Sequence, residues 1–142
     1  MSSQPMSFRD FFWVGLGGGL GSMARFGLTT IIARWLGERL GETLPFGTIL
    51  VNVTGCFLIG LIAGIADPNL GWISRPTGQQ FLIAGFCGGY TTFSAFSLQT
   101  LRLIQNRYWT LTSLHVLGSV ALCMAAVALG HTCAVWWTGR KA

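Results

Sequence analysis

Charge is what this sequence has least of. Only 9% of its 142 residues are Asp, Glu, Lys or Arg, while 51% are hydrophobic and the mean hydropathy is +0.58. A soluble domain carries about 25% charged residues. So few charges cannot cover a water-facing surface, so the membrane class follows before any motif is read. A length of 142 residues suits a single domain, 1–142. The net charge of +5 raises the question of nucleic acid, but the nine basic residues are scattered, with no aromatic-interleaved patch. No nucleic-acid partner is expected.

Metal-ligand spacing is missing too. Cys56, Cys87, Cys123 and Cys133 all lie in apolar stretches, with no CxxC pair and no accompanying His or carboxylate cluster. That argues against metal or disulfide chemistry and reads them as small buried apolar side chains. Signal-peptide form is absent: Met1 to Asp10 is a short polar lead that enters a glycine-rich apolar segment without a cleavage-like end. The first span is therefore expected to be retained. There is no soluble domain and no repeat of fixed period.

What is there is four long apolar stretches: Phe11 to Ala33, Pro45 to Ala66, Phe81 to Ile104, and Leu111 to Trp137. Each reaches the ~20 residues needed to cross a ~30 Å hydrocarbon core. The intervening "RWLGERLGE", "DPNLGWISRPTGQQ" and "RLIQNR" hold most of the charge. Trp13, Trp35, Trp72, Trp109, Trp136 and Trp137 fall near the span ends, as an interfacial aromatic belt does. The expected fold is an all-α membrane protein with four transmembrane helices.

Orientation has no charge signal. Four spans put Arg9, Arg75, Arg140 and Lys141 on one side and Arg34, Arg39, Arg102 and Arg107 on the other, four against four. Either other features orient the chain or it inserts both ways. The second option permits an antiparallel two-fold dimer. Gly17 with Gly21, and Gly60 with Gly64, have the small-xxx-small spacing of close helix contacts. Those contacts are either plain tight packing or a dimer interface that frames a pore.

The third span carries "GGYTTFSAFS", Gly88 to Ser97, near its middle. Gly88 and Gly89 weaken a helix, and Thr91, Thr92 and Ser94 offer side-chain bonds that compete with it. The expectation is a helix broken at the bilayer midplane, tolerated there only if buried in protein or lining a watery cavity. Free carbonyls at such a break can hold a cation, while hydroxyls and helix N-termini can hold an anion; the alternative is a packing kink. Phe93 and Phe96 share a helix face, and aromatic edges are electropositive. They are either core or part of an anion path. Arg25 sits in span one. Asn52 and Thr48 share a face of span two. His115, Ser119 and Cys123 form one stripe on span four. No Asp or Glu lies inside any span. A proton-coupled cation or drug exporter needs one, whereas amides, hydroxyls, aromatic edges and one guanidinium suit an anion.

Together "GGGLGSMARF", "GTILVNVTGCFLIG" and "GFCGGYTTFSAFS" resemble the Fluc (CrcB) family of fluoride channels, in order and over nearly the whole chain. The resemblance implies a multi-pass inner-membrane channel rather than an enzyme. Such a channel exports fluoride passively and protects the cell from its toxicity. It implies an antiparallel, dual-topology homodimer with two fluoride pores. It also implies a structural sodium ion at the dimer centre, held by backbone carbonyls of the broken third helix, here Gly88 and Thr91. Phe93 and Phe96 match the pore phenylalanines, and Asn52 the pore asparagine. Thr48 and Ser94 match vestibule hydroxyls. Arg25 matches a basic residue near the pore entrance, and Ser119 a serine of the fourth-helix polar track. Three positions depart from the pattern. Ala95 stands where threonine is frequent, His115 where a tyrosine is usual, and Cys123 in place of a small polar residue. The competing readings are a small multidrug-type four-helix transporter, which lacks its carboxylate here, and a structural membrane protein without transport.

Overall fold

The computed structural model describes residues 7–36, 45–65 and 71–139. Every regular element among them is helical. Helix α1 is Phe8–Leu36 and α2 is Phe46–Ile65. A short 3-10 turn, Gly71–Ser74, leads into a run of three pieces: α3 (Pro76–Gln79), a π-helical segment (Gln80–Cys87) and α4 (Gly88–Tyr90). Helices α5 (Phe93–Gln105) and α6 (Trp109–Trp137) complete the chain. Ala66, the expected end of the second span, lies outside the described residues.

Local chemistry sets the starts. At α1 the Asp10 carboxylate accepts the Ser7 N–H at 2.9 Å, and the Ser7 hydroxyl oxygen accepts the Arg9 N–H at 3.4 Å. This is a capping box that also puts a negative charge at the positive end of the helix. Pro45 sits just before α2, where its carbonyl accepts Thr48 and Ile49 N–H at 3.1 and 3.2 Å. Pro76 occupies the first turn of α3, a position whose N–H would have no partner anyway. Between α5 and α6 the chain reverses within Asn106–Tyr108, with Arg107 in the left-handed region at φ 59°.

Three segments are long and apolar enough to cross a membrane: Phe46–Ile65, Pro76–Gln105 and Trp109–Trp137. Helix α1 is long enough at 29 residues, but its glycines and Arg25 dilute its hydropathy. The burial pattern is that of a protein whose solvent is lipid. Phe93, Trp35 and Trp136 are 79%, 89% and 86% exposed, while Thr48, Thr92, His115 and Ser119 are no more than 8% exposed. Apolar side chains face outward and polar ones face in, the reverse of a water-soluble fold. At one end Trp13, Trp72 and Phe81 meet edge to face, with Trp13 centroids 6.3 and 6.1 Å from the other two.

Helix α2 lies along α6 in the most extensive contact of the molecule, and α1 packs on the π-helical segment and α4. Both contacts depend on glycine. A Cβ at Gly60 would strike the Val127 carbonyl, and one at Gly130 would strike the Phe57 carbonyl, so α2 and α6 approach backbone to backbone. The π-helical segment has no counterpart in the sequence reading, which treated this stretch as ordinary helix.

Candidate functional site

Helical hydrogen bonding stops at two residues. Thr91 has φ −81°, ψ 159° and Thr92 has φ −149°, ψ 115°, both extended, between α4 and α5. The two glycines expected to disturb the helix do not leave it: Gly88 stays at φ −62°, ψ −40°, and Gly89 lies within α4. Thr92 leaves it because another group takes its backbone, whereas the Thr91 N–H still reaches Cys87. The Asn52 amide faces Thr92 in a two-point contact, Nδ2 donating to the Thr92 carbonyl at 3.1 Å and Oδ1 accepting the Thr92 N–H at 2.8 Å. The Thr92 hydroxyl oxygen then accepts the Ala95 N–H at 3.2 Å and caps α5.

This arrangement removes two helical donors. An unbroken helix would send the Thr92 N–H to the Gly88 carbonyl and the Ala95 N–H to the Thr91 carbonyl. Here the first goes to Asn52 and the second to the Thr92 side chain. Thr91 itself is turned back, its N–H and its hydroxyl both donating to the Cys87 carbonyl at 3.0 and 2.9 Å. Gly88 and Thr91 therefore present carbonyls without their usual i+4 donors.

Beside the interruption is a cavity of about 390 Å³. Its wall includes Asn52, Gly88, Thr91, Phe93, Phe96 and Ser119, and, among the described residues, no Asp, Glu, Lys, Arg or His. Phe93 and Phe96 are tilted at 37° with centroids 5.5 Å apart. Behind Phe96 is His115, centroids 4.9 Å apart, with only 1% of its surface exposed. Among the described residues, neither ring nitrogen of His115 nor the Ser119 hydroxyl has a hydrogen-bond partner. A buried polar group without a partner costs about 1–3 kcal/mol, so the Ser119 hydroxyl, which lines the cavity as His115 does not, is where a polar occupant would bind best.

Asn52, Gly88, Thr91, Phe93, Phe96 and Ser119 thus come together on one cavity, with His115 one ring behind. Ser94 is exposed and reaches the cavity only through the Thr92 hydroxyl, 3.2 Å away. Thr48 is buried at a separate contact, accepting Gln99 Nε2 at 2.9 Å. Arg25 lies on α1, which contributes nothing to the cavity wall. The cysteines are not uniformly buried: Cys133 is exposed, and Cys56 and Cys123 are half-buried on the cavity wall. Thr92 was singled out from sequence as a hydroxyl that competes with the helix but not as the cap of α5, and Gln99 was not singled out at all. For Thr92 the signal was available, a hydroxyl residue three positions before Ala95 at a helix start. For Gln99 none was.

A family model described as "CrcB-like protein, Camphor Resistance (CrcB)" matches residues 12–131. The chain belongs to the CrcB family. A relative from Opitutus terrae, named "Fluoride-specific ion channel FluC", is 44% identical over 131 residues, 92% of this chain and 96% of that protein. A protein of the same name from Methylobacterium radiotolerans is 42% identical over 134 residues, covering 94% and 90%. Another from Paramagnetospirillum magneticum is 43% identical over 122 residues, covering 85% and 91%. The matched CrcB region contains every residue on the cavity wall.

Proposed function

We propose that this CrcB chain is a fluoride-selective channel of the inner membrane, conducting the ion passively outward and so protecting the cell. The observation that carries the reading is the uncharged cavity in which Phe93, Phe96 and Asn52 meet the partnerless hydroxyl of Ser119. Fluoride is strongly hydrated and must exchange water for other ligands in a narrow path. A guanidinium or ammonium there would hold it too tightly. Aromatic edges, an amide N–H and hydroxyls are electropositive but weak, and several weak sites in series let an ion enter and leave. Asn52 spends one N–H on Thr92 and has a second to offer.

The working unit is an antiparallel homodimer of four-span chains, the third span broken at the membrane midplane between Tyr90 and Phe93. Three features support it. Phe93 is exposed on the open side of the cavity, so one chain alone supplies half a wall. Basic residues divide four against four between the two sides, which favours neither orientation. The Gly88 and Thr91 carbonyls lack their helical donors beside that same open side. Those carbonyls fit a hard monovalent cation, and Gly88 and Thr91 of both chains would hold a sodium ion. Bound there, it would supply fixed positive charge that ties the two interruptions together. Arg25, Thr48, Ser94 and His115 serve the approaches to the path rather than its narrow part.

The test is fluoride efflux from liposomes, read with a fluoride electrode. Phe93→Ile and Phe96→Ile keep bulk and remove the ring edge, so each lowers flux by about a hundredfold. Phe12→Ile, at the outer end of α1, leaves flux unchanged. Flux near wild type in both cavity variants, with the dimer intact on gel filtration, removes the two rings from the mechanism. Terminal tags should be reachable from both sides of the membrane, and exchanging all sodium for a large organic cation should loosen the dimer. Labelling from one side only, or indifference to the exchange, defeats the respective part.

A further inference from the structure

The cavity wall carries a second set of ligands that the fluoride path does not use. Cys56 of α2 and Cys123 of α6 both line it. Gly60 of α2 meets Val127 of α6, and four residues before each, one turn along the same face, stand Cys56 and Cys123, so the two residues are neighbours across the contact. Both stand at mid-height. Cys123 is fourteen residues from either end of α6, and Cys56 is ten from the start and nine from the end of α2. The backbone-to-backbone approach at Gly60 and Gly130 fixes the two helices, so the thiols are held together rather than meeting by chance. The thioether of Met124 lies on the same wall, and no carboxylate or amine does. Cys87 is a further thiol neighbour of Cys56, but it is only 1% exposed. No cluster of three or more metal-ligating side chains forms among the described residues. Two thiols beside a thioether suit a cation that prefers sulfur to the neutral amide and hydroxyl oxygens of Asn52, Thr91 and Ser119 on the same wall, and that is content with two ligands in a line.

We propose that Cys56 and Cys123 form a binding site for a soft, thiophilic d¹⁰ metal cation, and that an ion bound there obstructs the fluoride path. Binding breaks two S–H bonds and forms two metal–sulfur bonds. Two protons go to solvent, and no electrons are transferred. The obstruction follows from place: the bridged thiols share the wall with Phe96, Asn52 and Ser119. The obstruction rests on the channel reading above; the binding does not.

The probe is mercury(II) nitrate, added to the full chain in a Cys133→Ser background that removes the exposed thiol. An ultraviolet mercury–thiolate band should saturate at about one equivalent per chain. Fluoride flux in liposomes should fall about tenfold or more over the same titration and recover with excess dimercaptopropanol. Adding Cys56→Ser or Cys123→Ser should abolish both the tight band and the block, while Cys87→Ser leaves both in place. Serine keeps the approximate size of each site, a monodisperse species on gel filtration reports that each variant folds, and block is read against that variant's own flux before metal is added. A band and block that survive Cys56→Ser or Cys123→Ser overturn the site. A fully developed band with unaltered flux overturns the obstruction. Absence of fluoride flux before any metal is added is a failure of the channel reading, and the band then still decides the thiol site.

Discussion

Glycine does opposite things at two places in this molecule. Where α2 meets α6, Gly60 and Gly130 let two backbones touch, and both helices run on unbroken. At "GGYTTFS" helical bonding does stop, yet Gly88 and Gly89 are helical and the interruption falls on Thr91 and Thr92. Glycine lowers the cost of leaving a helix, by about 1 kcal/mol relative to alanine, but a low cost is not a cause. In an apolar surround, backbone groups leave a helix only when other partners take them. Asn52 and the Thr92 hydroxyl are those partners. Gly60 and Gly130 have no such groups facing them, only the main chain of the opposite helix.

The largest effect that would sharpen this contrast lies at the dry contact. Gly60→Leu places a side chain on the Val127 carbonyl, which is main chain and cannot step aside. The two helices must part along their length. The expected result is loss of folded, monodisperse protein on gel filtration, a cost above ~4 kcal/mol. A variant that stays folded and conducts would show that α2 and α6 need not touch. Gly88→Ala is the counterpart at the interruption. A Cβ there meets only the Ile83 carbonyl, at 3.7 Å, an ordinary contact. It should fold normally.

Next in size is Asn52. Asn52→Leu keeps the bulk and removes both hydrogen bonds to Thr92, leaving an N–H and a C=O with no partner from α2. The cost is about 2–4 kcal/mol, seen as a lower thermal midpoint and near-total loss of fluoride flux. Asn52→Asp keeps the acceptor and loses the donor, and should fall between. If Asn52→Leu loses flux with no change in thermal midpoint, the amide acts on the ion and not on the backbone.

Much of this arrangement was legible in the sequence, and the limit is a physical one. Periodicity and hydropathy place long helices, because lipid leaves few other choices. Residue type alone marks Asn52, Phe93, Phe96 and Ser119, since polar groups and clustered rings inside apolar spans need a reason. What sequence does not carry is who bonds whom across 40 or 51 residues, as Asn52 does to Thr92 and Thr48 to Gln99. That is why glycines and hydroxyls together marked the interruption without singling out Thr91 and Thr92, and why Gln99 went unremarked. Burial of the cysteines is hidden for the same reason: spacing along the chain does not tell that Cys133 is exposed and that Cys56 and Cys123 are only half-buried.

The smallest effect is the most specific. Thr92→Ala removes the hydroxyl that caps α5, a loss of about 1 kcal/mol and a drop of only a few degrees in thermal midpoint. Its second consequence is larger than its first. The Ala95 N–H loses its acceptor at 3.2 Å, and the nearest replacement is the Thr91 carbonyl, its ordinary helical partner. That carbonyl is one of the two proposed above as sodium ligands. The variant should therefore need more sodium to hold the dimer together, while its fold barely changes. Thr92→Ser keeps the hydroxyl and should match wild type in both measurements. Sodium titrations of dimer stability separate the cases. If Thr92→Ala and Thr92→Ser have the same sodium midpoint, the cap does not keep the Thr91 carbonyl free, and the interruption is held open by Asn52 alone.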